Sequence, residues 1–133
     1  MAVSHWLDTT SLSRWLLRLP GLSARLPQAA CVRQYDEEDC GAACLATVCQ
    51  SHGEPLPMPL VRHRVGTSAQ GTTLLGLKRG AESLGFHARA AKADASLLHD
   101  LASLPLPVIC HWQGCHWVVL HGWRGEQLLV ADP

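Results

Sequence analysis

Chemistry at a cysteine needs a stabilised thiolate, and the six cysteines of this 133-residue chain (Cys31, Cys40, Cys44, Cys49, Cys110 and Cys115) do not stand in equal positions. Cys40 follows Asp39, a good helix N-cap, and opens a stretch ending at His52, with Gly53 as its stop; the spacing predicts a helix over residues 40–52. At a first helical turn the free backbone N–H groups and the positive dipole end favour a thiolate, which makes the sulfur nucleophilic. Cys44 and Cys49 lie further along, in an apolar stripe with Leu45 and Val48. They read as inert core thiols, because apolar burial raises a thiol pKa.

A cysteine nucleophile needs a base and a group that orients the base. Eight histidines compete for that role, and the last hairpin helps to choose. A three-residue loop at Trp123-Arg124-Gly125 pairs Gly122 with Glu126. Counting back, Leu120 faces Leu128, Val118 faces Val130, and His116 faces Asp132, an imidazole beside a carboxylate at the open end of a sheet. On this count His121 faces Gln127 and His111 meets no acid. A slip of one residue would set His116 opposite Pro133. For an oxyanion, the Cys40 N–H is one donor; Gln34, six residues upstream, offers its amide if residues 35–39 fold back.

Each of these residues also has a plain structural reading. Cys40 can be a small buried residue, His116 a core histidine bonded to backbone, and Asp132 a turn residue before proline. A lone Gln is a weak signal. Cys110-His111 with Cys115-His116 can be drawn as a metal cluster, but no CxxC knuckle is present and the pairs fall in a hairpin.

The elements that must position these groups follow from periodicity and punctuation. Leu12, Trp15, Leu16 and Leu19 form the stripe of a short helix, capped by Ser11 and stopped by Pro20-Gly21, with Arg14 and Arg18 on its polar side. It reads as a helix packed on the domain, with docking to a partner or membrane surface as the alternative. Residues 22–30 read as a linker. After residue 52, Pro55, Pro57 and Pro59 break the chain before a helical turn at Leu60 to Val65. Thr72 or Thr73 caps a helix over Leu74 to Leu84, closed by Gly85. Phe86 to Ala90 reads as a strand, and Asp94 caps a short helix around Leu97, Leu98 and Leu101. Val108 to Trp112, His116 to Gly122 and Glu126 to Ala131 are apolar runs separated by turn residues. Helices first and an antiparallel meander last predict an α+β domain over residues 31–133, with residues 1–30 as an N-terminal extension.

Composition narrows the function classes. Eleven Lys+Arg balance eleven Asp+Glu, which argues against a nucleic-acid partner. No apolar run approaches the roughly 20 residues that span a bilayer. The N-terminus does not read as a signal peptide, so reduced thiols in the cytoplasm are expected rather than disulfides.

The block Gln34-Tyr35-Asp36-Glu37-Glu38-Asp39-Cys40-Gly41-Ala42-Ala43-Cys44-Leu45-Ala46 resembles the active-site block of the C39 peptidases, the papain-like domains of bacteriocin-processing ABC transporters. His116-Trp117-Val118-Val119-Leu120 is similar to that family's catalytic-histidine strand, and Val130-Ala131-Asp132-Pro133 to its Asp-Pro block. The resemblance implies a papain-like fold, with Cys40 as nucleophile, His116 as base and acid, Asp132 as orienter and Gln34 in the oxyanion hole. It implies no metal or cofactor. Its implied substrate is a precursor peptide whose leader ends in Gly-Gly or Gly followed by a small residue, and its implied partner is an ABC transporter. Two departures stand out. About thirty residues precede a block that usually lies near the chain start, and the chain stops at Pro133, which suggests an excised domain or a free-standing peptidase. The rivals are a leader-binding domain without catalysis, against which the presence of Cys40, His116 and Asp132 weighs, and a papain-like transferase acting on amides.

Overall fold

The computed structural model describes residues 2–7 and 29–133. The expected helix at residues 12–19 and most of the expected linker lie outside the described residues. In chain order the elements are β1 (Ala2–Leu7), a 3-10 turn (Glu37–Asp39), α1 (Cys40–Ser51), α2 (Met58–Val65), α3 (Leu74–Ser83), β2 (His87–Lys92), two 3-10 segments (Ala95–Leu98 and Leu101–Ser103), β3 (Val108–Trp112), β4 (His116–Arg124) and β5 (Gln127–Ala131). The five strands form one antiparallel sheet in the order β2-β1-β3-β4-β5. The chain is an α+β protein, as its pattern of elements predicts.

Local signals account for most boundaries. Thr73 caps α3 by accepting the Gly76 N–H at 3.0 Å, which settles the choice between Thr72 and Thr73. Asp94 accepts the Ser96 N–H at 2.8 Å and starts the first 3-10 segment. The expected single helix there is two 3-10 pieces. Helix α2 begins at Met58, two residues before the expected start. Pro59 lies within its first turn, where a missing N–H costs nothing because that group has no helical partner. The strand expected over residues 86–90 runs over His87–Lys92 instead.

Two apolar cores flank the sheet. On one face α1, α2 and α3 pack against Ile109, Trp117, Val119 and Ala131. On the other, Leu101 and the partly buried Leu97, Leu98, Leu104 and Leu106 cover Val108, Cys110, Val118 and Leu120. Strands β3 and β4 are thus buried on both sides, which explains their unbroken apolar runs. Helix α1 is also enclosed: all ten residues from Cys40 to Cys49 are buried, not only the stripe read from periodicity.

Ala2–Leu7, within the N-terminal extension, forms an additional strand between β2 and β3. One expectation is corrected. The β4–β5 hairpin is tighter than the three-residue loop predicts. Arg124 pairs with Gln127, Trp123 with Leu128 and Gly122 with Leu129; a bulge at His121 then shifts the ladder, so that Leu120 pairs with Val130 and Val119 with Ala131. Leu120 is therefore two residues out of its expected register. Beyond the bulge this slip of two keeps the side chains on their expected face; between the bulge and the turn, where Gly122 meets Leu129 instead of Glu126, the slip is three and reverses it.

Candidate active site

Cys40 is the first residue of α1 and is 6% exposed. It opens onto a cleft of about 540 Å³ lined also by Glu37, Glu38, residues 69–72, His111, Gly114, Cys115 and Trp117. The cleft walls come from three places: the 3-10 turn before α1, the loop before α3, and the β3–β4 hairpin. A tight approach joins them. A Cβ on Gly41 would lie 2.6 Å from the Thr72 Cβ, so only glycine beside Cys40 lets the loop close against the helix start. Thr72 shares a hydroxyl–hydroxyl hydrogen bond of 2.8 Å with Thr67. Its carbonyl accepts the indole N–H of Trp117 at 2.9 Å, which ties β4 to the loop across the cleft.

His116 begins β4, next to Trp117. Its Nε2 lies 2.6 Å from Asp132 Oδ1, just beyond the end of β5. Continuing the observed ladder sets Asp132 level with Val118, diagonal to His116 on the same face. Diagonal neighbours remain within reach of long side chains. The expected pair therefore forms although the residues are not directly opposed. The Asp132 carbonyl accepts Arg33 Nη1 at 3.0 Å and the Cys31 thiol at 3.6 Å, so residues 31–33 strap the end of β5. That segment is itself anchored: the Val32 N–H donates to the Thr47 hydroxyl at 2.9 Å, and the Ala30 carbonyl lies 2.8 Å from His121 Nε2.

Gln34 follows the strap in sequence and is not among the residues that line the cleft. Its amide oxygen is buried and has no hydrogen-bond partner among the described residues. The structure thus joins His116 to Asp132 directly and places Cys40 beside Trp117. No hydrogen bond links Cys40 to His116 or Gln34 among the described residues; such contacts often tighten only with substrate bound.

Burial raises the pKa of three other thiols. It pushes the Cys44 thiol well above its ordinary pKa, with Cys40 and Asp132 adding to the effect. It raises Cys49 to about 11, helped by Glu54, and Cys110 to about 12. These are inert thiols, as read for Cys44 and Cys49. His121 does not face Gln127: it sits at the bulge, where desolvation lowers its pKa. His111 stacks on Trp117 with ring centroids 4.3 Å apart, and desolvation lowers its pKa also. Among the described residues no three His, Cys, Asp or Glu side chains are grouped to hold a metal ion, and no helix is long and apolar enough to cross a membrane.

Sequence reasoning misses the Trp117–Thr72 bond and an ion pair between Asp39 and Arg62, Nε to Oδ1 3.1 Å. Neither carries a local signal, since the partners lie 45 and 23 residues apart.

The model of the peptidase C39 family matches residues 28–133. The chain is 35% identical over 106 residues to the lactococcin-G-processing and transport ATP-binding protein LagD of Lactococcus lactis, covering 77% of this chain and 15% of that protein. It is 32% identical over 120 residues to the colicin V secretion/processing ATP-binding protein CvaB of Escherichia coli, covering 90% and 15%. The chain thus spans about one-seventh of the length of these relatives. Among solved structures it is similar to the peptidase domain of Streptococcus ComA, a bifunctional ABC transporter (TM-score 0.70, 35% identity, 79% of each chain). It is also similar to a double-glycine-motif protease from an AMS/PCAT transporter in complex with the leader peptide (TM-score 0.69, 30% identity, 77% of this chain and 72% of that one).

Proposed function

This chain belongs to the peptidase C39 family, and we propose that it is a cysteine endopeptidase that removes the leader of a precursor peptide by cutting after a Gly-Gly or Gly-small junction. The His116–Asp132 bond at the rim of the sheet that walls the Cys40 cleft carries this reading. Asp132 engages Nε2 and leaves Nδ1 to exchange the proton. The Cys40 thiolate attacks the carbonyl carbon of the last leader residue. The resulting oxyanion takes the Cys40 N–H and the side-chain amide N–H of Gln34. His116 passes its proton to the leaving amine, the C–N bond breaks, and an acyl-enzyme remains. Water, deprotonated by His116, then releases the leader and restores the thiol. A narrow slot that excludes a Cβ accounts for glycine at the junction. The chemistry asks for no metal or cofactor.

The relatives named above are processing and transport proteins, which supports an ABC transporter as the partner and the cytosolic side of the membrane as the working place. Residues 31–133 form the peptidase unit in this reading, with residues 1–30 as an extension that lends β1 to its sheet. A leader-binding domain without catalysis is the weaker reading, because Cys40, His116 and Asp132 are all present.

Two glycines offer almost no side-chain surface, so leader affinity comes from elsewhere. An apolar helix face laid in a groove is the natural means, at roughly 1.5–3 kcal/mol for each large side chain buried. Residues 57–75 supply one wall in this proposal, and Leu60 and Leu75 are exposed there. The test is kcat/KM for a full-leader Gly-Gly precursor against versions with apolar leader positions changed to Ser or Asp. A loss of about tenfold or more, mainly in KM, is expected. Equal cleavage of a bare Gly-Gly hexapeptide and the full precursor would overturn the groove, and no cleavage of either would overturn the peptidase.

A further inference from the structure

Asp39 occupies the N-cap position of α1 but does not cap it: its side chain accepts no N–H of the first turn. Its backbone is already helical there, at φ −86° and ψ −6°, and its side chain closes a capping box over the preceding 3-10 turn with Asp36. Oδ2 accepts the Asp36 N–H at 3.3 Å, Arg62 Nε lies 3.1 Å from Oδ1, and Arg62 Nη1 lies 3.5 Å from Oδ2. The Asp39 side chain is wholly buried, whereas that of Arg62 is 39% exposed and also lies 3.6 Å from Asp36 Oδ2. A buried carboxylate needs a cation, and the planar guanidinium reaches both of its oxygens.

We propose that Arg62 is a positioning residue that neutralises the buried Asp39 carboxylate and holds it in that box, so that Cys40, the next residue, does not face an uncompensated negative charge. The inference rests on Cys40 being the nucleophile. Without Arg62, the buried carboxylate keeps only the Asp36 N–H as a partner and its charge is left uncompensated beside Cys40. There it would oppose the thiolate through space. The effect of Arg62 is thus to cancel the charge that the capping box brings to the start of α1. Glu37, Glu38, His111 and Cys115 share the cleft with Cys40, and Cys44 follows one turn on; all are the same in every variant below.

The test has two arms in the full chain. One measures kcat and KM on a Gly-Gly precursor. The other follows iodoacetamide labelling of the Cys40-bearing peptide by mass spectrometry across pH, because the exposed Cys31 and Cys115 react with the reagent too. Arg62→Met should lower kcat by about 10- to 100-fold with KM nearly unchanged, and move Cys40 labelling to higher pH. Adding Asp39→Ala to Arg62→Met should recover most of both, since the uncompensated carboxylate is then gone. A double variant no better than Arg62→Met overturns the proposal, as does an unchanged labelling profile. Where Arg62→Met does not fold, Arg62→Lys and Arg62→Gln decide: Lys keeps a cation on the carboxylate and should be the more active and the earlier labelled, and equality overturns the idea. If the wild-type chain cleaves no Gly-Gly precursor, the substrate reading fails while the labelling arm still judges Arg62.

Discussion

At the start of α1 the chain is closed in on all sides: Cys40 is 6% exposed, and Ala42 to Leu45 are fully buried behind it. At the rim of the sheet the opposite holds, with the His116 side chain 33% exposed and that of Asp132 69%. Cys40 is placed by packing, through Gly41 against Thr72 and through the core behind the helix. His116 and Asp132 are placed by a register shift at His121 and a handful of polar contacts: the Trp117–Thr72 bond and the strap from Arg33 and Cys31. A group held by packing tolerates few changes nearby. A group held at a rim can be weakened by degrees, because water competes for each of its bonds.

The largest effect should come at the packed end. Cys40→Ala should abolish cleavage while leader affinity stays within a few-fold, because the binding energy lies in remote contacts. Cys44→Ala, one turn along, should remain active and lose only about 1 kcal/mol of stability in a denaturant melt. Residual cleavage in Cys40→Ala would move the nucleophile and break the comparison.

Gln34→Ala should cost roughly 10²–10³ in kcat, the usual loss for one oxyanion donor. A change confined to KM would make Gln34 a substrate-positioning group instead. Asp132→Asn follows, with an expected kcat loss of about 10- to 100-fold, well below the roughly 10⁴ of a buried triad aspartate. Water can partly replace so exposed a carboxylate. A loss as deep as that from Cys40→Ala would show that substrate buries this rim.

The smallest effect concerns the bulge. Desolvation holds the His121 pKa below its ordinary 6.5. The unfolded chain then binds the proton more readily, so stability from this residue is full above about pH 6.5 and falls as pH drops below it. Thermal melts between pH 7.5 and 5 should show a shallower fall in Tm for His121→Gln than for the native chain. Parallel curves would remove His121 from the account of acid sensitivity.

Much of this site was legible from residue order, and for particular reasons. Asp39-Cys40, Thr73 and Gly53 are punctuation, and punctuation acts over three or four residues. The pairing of His116 with Asp132 survived a wrong register because strands alternate with a period of two and the error was two. Nothing within Ala2–Leu7 marks it as a strand between β2 and β3, since its partners are fixed some eighty to a hundred residues later. The same distance problem hides the Trp117–Thr72 tie. It also hides the partner of Asp39: the residue reads as the cap of α1, yet its carboxylate closes the box of the preceding 3-10 turn and meets Arg62, which folding of α2 brings to within 3.1 Å. Residue types and short spacings therefore determined which groups stand as candidates for chemistry, while the direction in which each one points was set by contacts between segments distant in the chain.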